Sequence, residues 1–362
     1  MVRNLLQKIL TKPVNRIASK YDSRPDQERV FLSLTELRQK ISNHSKEKGP
    51  VISFNSSSDR FIIFSDHHKG AKNGADDFAP AEANYIASLE YYNRQNYTYI
   101  ALGDCEEFWE NTIASVKDHN KPAFAREKLF LERNAFIKIF GNHDLDWDND
   151  PFANMHLENI YGQKVPIYEG AILQTEIEGR ILQIFLTHGH QGDLMSDGNM
   201  FSKWFIAKVW APFQSYLEIR PHTPAYDADL KTEHNRLMYE WSARQNNTIL
   251  ITGHTHQPVF TSLTHLERLF KYLSKARESE DEEAIIKLEN EINLRRRMGA
   301  TIPDFTAILP GYFNSGCCCF PDGDITGIEI VEGKIILVKW KYEESQSVRI
   351  LLEEIELEKC RW

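Results

Sequence analysis

Arg60-Phe61-Ile62-Ile63-Phe64-Ser65-Asp66-His67-His68 is the stretch from which the fold can be read. Its apolar run is short and rich in β-branched and aromatic residues, which reads as a buried strand, and the strand ends on an aspartate and two histidines. A second run, Tyr97-Thr98-Tyr99-Ile100-Ala101-Leu102, ends on Gly103-Asp104-Cys105-Glu106-Glu107. Between the two, Pro80 to Asn93 has helical character, with Pro80 suited to a first turn where its missing N–H costs nothing. The unit is therefore β-α-β. It repeats, with a helical stretch from Ala123 to Arg133 followed by Ala135-Phe136-Ile137-Lys138-Ile139-Phe140, which ends on Gly141-Asn142-His143-Asp144. Parallel strands joined by crossover helices bring their C-terminal ends to one sheet edge, where open α/β sheets bind ligands.

From Ala171 the pattern changes to hairpins. Ile172 to Ile177, a turn at Glu178-Gly179 and Arg180 to Leu186 lead into Thr187-His188-Gly189-His190, and Thr248 to Thr252 leads into Gly253-His254-Thr255-His256. Further strands are expected over Thr306 to Leu309, Ile325 to Val331, Ile335 to Lys341 and Val348 to Ile355, with a tight hairpin at Glu332-Gly333-Lys334. Strands with helices first and strands with hairpins second suggest two packed sheets.

Five blocks at strand ends, each rich in Asp, Asn or His, point to metal. One Asp-x-His or His-x-His arises by chance in many chains; five in series do not. Oxygen and imidazole nitrogen together suit Mn²⁺, Fe or Zn²⁺ and suit Ca²⁺ poorly. If seven groups converge, a single cation is too few. Two cations about 3.5 to 4 Å apart, sharing a carboxylate, accommodate them and can clamp both the attacking and leaving oxygens of a phosphoryl transfer.

Composition narrows the partners. With 362 residues, 41% hydrophobic and 26% charged, the chain can bury a substantial core, and no apolar run approaches the roughly 20 residues of a membrane span. The first residues, Met1-Val2-Arg3-Asn4-Leu5-Leu6, lack a secretory h-region and cleavage site, so a cytoplasmic location is expected. A net charge of -9 disfavours nucleic acid as a partner. Residues 1–49 nevertheless hold eleven Lys and Arg against five Asp and Glu, and Arg3, Lys8, Lys12, Arg16 and Lys20 flank Leu5, Leu6, Ile9 and Leu10 at helical spacing. That permits weak peripheral contact with an anionic membrane, or else a solvated or core-docked helix. Cys317-Cys318-Cys319 lacks the spacing of a zinc knuckle and is expected to be small residues packed on a strand, without chemistry.

The blocks resemble the calcineurin-like metallophosphoesterases, whose D-x-H, G-D-x-x-[DE], G-N-H-[DE], H-G and G-H-x-H signature runs in order from residue 66 to residue 256. The resemblance implies a four-layer α/β/β/α sandwich of two mixed sheets with helical insertions. Residues 1–58 would form an N-terminal helical extension to a phosphoesterase domain at 59–362. It implies that Asp66, His68 and His256 hold one metal, that Asn142, His188 and His254 hold the other, that Asp104 bridges them and that His143 protonates the leaving group. Glu107, Asp144, His190 and Asp193 would orient ligands or touch substrate. His67, by strand alternation, would face away.

The expected activity is hydrolysis of a phosphodiester, diphosphate or phosphomonoester bond by hydroxide held between two divalent metals, Mn²⁺ first and Fe or Zn²⁺ next. Asp104-x-x-Glu107-x-Trp109 is similar to the UDP-2,3-diacylglucosamine diphosphatases, which carry Arg where His143 stands, and this points to a phosphorylated small-molecule or lipid-linked substrate. A nuclease, a protein phosphatase and a metal-free scaffold are the alternatives within this superfamily. Two insertions separate the motifs. Residues 195–244, rich in aromatics, read as a core face or as a lid with an apolar groove. Residues 265–299 read as a charged helical hairpin turning near Ser279-Glu280-Asp281.

Overall fold

In the computed structural model, which describes residues 26–43, 47–73, 76–192, 228–279, 281–297 and 310–360, Phe61–Phe64 is a strand (β2) with all four side chains buried. It follows helix α1 (Gln27–Ser42) and a short strand β1 (Val51–Ser53). After β2 come α2 (Glu82–Arg94), β3 (Thr98–Leu102), α3 (Ile113–His119), α4 (Lys121–Glu132), β4 (Phe136–Ile139), α5 (Asp146–Asn149), α6 (Ala153–Tyr161) and β5 (Ile167–Tyr168). Strands β2, β3, β4 and β5 are parallel neighbours, with Phe61 opposite Thr98 and Tyr99 opposite Phe136. The chain then forms the hairpin β6 (Gly170–Ile177) and β7 (Arg180–Thr187), α7 (Ala228–Ala243), β8 (Thr248–Thr252), β9 (Val259–Phe260) and β10 (Leu263–Thr264). Helices α8 (His265–Glu278) and α9 (Glu282–Arg297) precede β11 (Tyr312–Asn314), β12 (Ile325–Val331), β13 (Lys334–Glu343) and β14 (Gln346–Glu356).

Two seven-stranded mixed sheets result, in the orders β1-β6-β7-β8-β11-β9-β10 and β14-β13-β12-β2-β3-β4-β5. The period of two along each strand sorts their side chains into layers. Ile63, Ile100, Leu102 and Ile139 of one sheet meet Leu173, Ile184, Leu186, Ile249 and Ile251 of the other in the central core. Their alternates, Phe64 and Tyr99, face outward onto Tyr85, Leu89 and Tyr92 of α2 and Phe130 of α4. Phe185 and Leu250 face outward onto the other side, where α1 and α7 cover them with Val30, Leu34, Leu37, Ile41, Leu237 and Trp241. The spacing of the four α1 residues is that of one helix face, and Asp26 caps the helix by accepting from the Arg29 N–H at 2.9 Å. The architecture is the four-layer α/β/β/α sandwich.

The described residues before residue 59 are woven into this sandwich. Strand β1 pairs in parallel with β6, Val51 opposite Ile172, so that segment supplies a sheet edge as well as a covering helix. Helices α8 and α9 pack on each other around Leu269, Leu273 and Ile292. They lean on β14, where Arg268 pairs with Glu353 and the Tyr272 hydroxyl donates to the same carboxylate at 2.9 Å. The strand expected over residues 306–309, the basic residues before Asp22, Asp193 and most of the aromatic-rich insertion lie outside the described residues. No described helix is long and apolar enough to cross a membrane.

Candidate metal centre

The parallel order of β2, β3 and β4 carries the first three blocks to one edge, and the parallel pair β7 and β8, with Leu186 opposite Ile251, carries the last two to the same edge of the facing sheet. Main-chain bonds then lock block to block. The Asp66 N–H donates to Gly103 O at 3.0 Å, His68 N–H to Asp104 O at 2.9 Å and Gly253 N–H to His188 O at 3.0 Å. Side chains cross the gap as well. Asp104 Oδ1 accepts from the His143 N–H at 2.8 Å, and both Asp66 oxygens accept from the His254 N–H at 3.0 Å.

Left-handed backbone turns these side chains inward. Asp66 (φ 53°), His68 (53°), Asp104 (48°), His254 (71°) and His256 (52°) all occupy it, a conformation costing roughly 1–3 kcal/mol for each non-glycine residue and concentrated at functional sites. His67 does face away, its Nε2 3.2 Å from the Tyr99 hydroxyl and its ring against Tyr85, but the cause is this left-handed pair around it, not strand alternation. Gly103 (φ +84°) has a second reason to be glycine, because a Cβ there would lie 2.5 Å from His188 Nδ1. Gly103→Ala is expected to cost about 2 kcal/mol or more. Gly179→Ala, with equally left-handed backbone (φ +78°) but nothing within 4 Å, should cost only about 1 kcal/mol, as compared by urea unfolding.

Six of the seven side chains form two overlapping groups. In the first, His68 Nε2 lies 3.1 Å from His256 Nε2 and 3.8 Å from Asp104 Oδ2, and His256 Nε2 lies 3.3 Å from Asp66 Oδ1. In the second, His188 Nε2 lies 3.1 Å from Asp104 Oδ2, and the ligating atoms of Asp104, His188 and His254 all lie within 4.8 Å of one another. Asp104 belongs to both. The Asn142 Oδ1 and His254 Nε2 atoms are buried and, among the described residues, make no hydrogen bond, a condition a cation would relieve.

The electrostatics favour positive charge in the gap. Burial opposes ionisation of Asp104 and Asp66, yet His188 and His143 around the first, and His188 and His256 around the second, hold both below the usual carboxylate range. Burial likewise opposes charge on the imidazoles. The carboxylates overcome it, raising His188 and His256 to about 9 and, with Glu107 bonded to it, His68 to about 10. His254 goes the other way: burial and the neighbouring His234 and His188 press it well below its ordinary value, leaving a neutral imidazole with a lone pair to give.

Outer partners set each ring. Glu107 Oε2 accepts from His68 Nδ1 at 2.9 Å and from His143 Nδ1 at 2.6 Å, and His188 Nδ1 donates to Leu102 O at 2.9 Å. Each bond fixes the tautomer that leaves Nε2 facing the gap. Despite burial, His143 and His68 hold Glu107 at about 2. Trp109 stacks on His143, ring centroids 3.9 Å apart, and its Nε1–H donates to Asn142 O at 2.9 Å. Asp144 ties blocks two and three by accepting from Gly141 N–H at 2.6 Å and Cys105 N–H at 2.8 Å. His190 is buried with its ring 5.5 Å from that of His188.

Three features were missed in the sequence. The cysteines lie in the loop after β11, not on a strand, and Cys319 Sγ sits 3.6 Å from His256 Nδ1. Burial would raise the neighbouring Cys317 thiol, but Cys319 and His256 bring it down to about 6. His234, from α7, lies buried with its ring 5.0 Å from that of His254. Asn314, at the end of β11, donates to Gly253 O at 2.6 Å, and Ser315 and Ser65 bond each other at 2.7 Å. The available signal was positional, since residues 314–319 follow a strand that ends at the same edge as the five blocks.

The chain is similar to the structure of Vacuolar Protein Sorting 29 from Cryptosporidium parvum (13% identity, 82% of this chain and 98% of that chain, TM-score 0.29). It is similar also to a single mutant of Vps29 from Entamoeba histolytica (12% identity, 81% of this chain and 99% of that chain, TM-score 0.28). No curated protein sequence matches it. Residues 59–258, which span all five blocks, match the Calcineurin-like phosphoesterase family, and the chain belongs to that family.

Proposed function

We propose that the chain is a metal-dependent phosphoric ester hydrolase using two divalent cations. Asp66, His68 and His256 would hold one, Asn142, His188 and His254 the other, and Asp104 both. The observation that carries this reading is the place of Asp104 in both ligand groups, 3.1 Å from His188 and 3.8 Å from His68. Oxygen and imidazole donors suit Mn²⁺ first, then Fe or Zn²⁺. Bound there, the cations would supply Lewis acidity toward the phosphoryl oxygens and make a bound water more acidic.

The chain's own residues would do the rest. With its Nδ1–H on Glu107 and its plane set by Trp109, His143 presents Nε2 outward and can hand a proton to the leaving oxygen. Its side chain is 21% exposed, whereas those of Asp66 and His188 are 0% exposed, so His143 is where a substrate can arrive. The Asp104-x-x-Glu107-x-Trp109 run supports a phosphodiester or diphosphate bond in a nucleotide-linked or lipid substrate.

Mn²⁺-dependent hydrolysis of bis-p-nitrophenyl phosphate, p-nitrophenyl phosphate and nucleoside diphosphate conjugates tests the reading; no chelator-sensitive turnover with any of them rejects it. His143→Ala is expected to keep its metal content and lose about 10²–10⁴ in kcat. The loss should be largest for an alkyl leaving group and smallest for p-nitrophenolate, which needs little protonation. An equal loss on both would remove the proton-donor role.

A further inference from the structure

The three imidazoles that point Nε2 at the carboxylates differ in what holds their outer nitrogen. For His68 it is the Glu107 carboxylate at 2.9 Å, and for His188 the Leu102 carbonyl at 2.9 Å. For His256 it is sulfur, with Cys319 Sγ 3.6 Å from Nδ1. The loop that delivers this sulfur is pinned to the site by its main chain. The Cys318 N–H donates to Ser65 O at 3.2 Å and Asp66 O at 3.1 Å, and Thr326 N–H donates to Cys317 O at 3.0 Å. The middle side chain, Cys318, packs away from the site in the apolar cluster with Phe64 and Tyr85. Adjacent cysteines thus have opposite roles, and it is Cys319 whose sulfur lies at the His256 ring nitrogen.

We propose that Cys319 is a positioning residue of the metal centre, its sulfur accepting from the His256 Nδ1–H. The Nε2 lone pair is then directed at the cation position shared with Asp66 and His68. The inference rests on the two-cation reading above. A ligand histidine whose outer nitrogen loses its partner can rotate and change tautomer, and removing such partners weakens metal binding typically 10–100-fold. The rival arrangement is direct ligation by sulfur, since ligating atoms of His68, His256 and Cys319 lie within 4.8 Å of one another.

The test is a Co²⁺ titration of the full chain stripped of metal, followed by visible ligand-field bands and by near-ultraviolet sulfur-to-cobalt charge transfer. Wild type should take up two equivalents without a charge-transfer band. Cys319→Ala, and Cys319→Val as a variant that leaves no cavity, should weaken one of the two equivalents about 10–100-fold. Cys319→Ser should recover part of that loss, and Cys318→Ala should titrate as wild type does. Unchanged titration of both Cys319→Ala and Cys319→Val overturns the proposal, as does a charge-transfer band in wild type that Cys319→Ser removes. Absence of any cobalt uptake by wild type would overturn the two-cation reading instead, and this inference with it.

Discussion

Asp104→Asn is expected to leave the fold standing, to empty both cation positions, and to lower turnover by roughly 10³-fold or more. The substitution keeps the shape of the side chain, and an amide oxygen can still accept from the His143 N–H, which Asp104 Oδ1 does at 2.8 Å. The other oxygen is different. It faces His188 at 3.1 Å and His68 at 3.8 Å, one imidazole from each ligand group, with the side chain 2% exposed. An amide there brings no negative charge, and turned the other way its NH₂ would confront lone pairs. Asp66→Asn, by contrast, should cost one equivalent, because Asp66 Oδ1 approaches His256 at 3.3 Å while both its oxygens are already engaged by the His254 N–H at 3.0 Å. Elemental analysis of the purified variants separates the two outcomes. Two full equivalents retained in Asp104→Asn would mean that it does not bridge.

Much of this centre was legible because each ligand directly follows an apolar strand. Phe61–Phe64, Thr98–Leu102 and Thr248–Thr252 are runs whose period and composition identify them, and parallel pairing does the rest. The four-layer order came from resemblance, since no local pattern in Gln27–Ser42 says which sheet that helix covers. Short pairings were lost altogether. Strands β1 and β11 have three residues each and owe their form to neighbours far along the chain, Ile172 to Gln174 and Leu250 to Thr252. Losing β11 also hid the cysteine loop that follows it. The left-handed turns at Asp66 and His68 carry little signal either, because the enrichment of aspartate and histidine in left-handed backbone is too weak to place a turn within a run that otherwise reads as extended.

The least legible feature was charge beneath the site. Lys138 occurs in Phe136-Ile137-Lys138-Ile139, where strand alternation turns it away from the apolar core that holds Ile137 and Ile139, yet its side chain is 1% exposed. Helices α4 and α6 close over that face, and the ammonium finds Glu106 at 2.9 Å. Glu106 in turn accepts from Trp147 Nε1–H at 2.6 Å and pairs with Lys69 at 3.2 Å. Lys69 reaches Glu127 at 2.5 Å, and Tyr85 and Tyr161 donate to that carboxylate at 2.7 and 2.5 Å. Two buried lysines thus balance two buried glutamates. Glu106 neighbours the ligand-bearing block at one end, and Lys69 follows His68 at the other, so the network joins the first three blocks from below.

Lys138→Met keeps most of the volume and strands one negative charge, which is expected to cost about 3–5 kcal/mol in the metal-free protein. The pH dependence carries the diagnosis. In the wild type, burial would raise Glu106, but Lys138 and Lys69 bring it down to about 2 from 4.5. Its contribution to stability is therefore complete above about pH 4.5 and lost as pH falls toward 2. Without Lys138 the carboxyl becomes easier to protonate, and protonation relieves the stranded charge. The gap in urea midpoint between wild type and variant should therefore be widest at neutral pH and narrow toward pH 4. Lys138→Met combined with Glu106→Gln should recover much of the loss, giving a coupling energy on the order of 1–3 kcal/mol in the double-mutant cycle. A gap independent of pH, together with additive single changes, would show that lost packing rather than unpaired charge accounts for the effect.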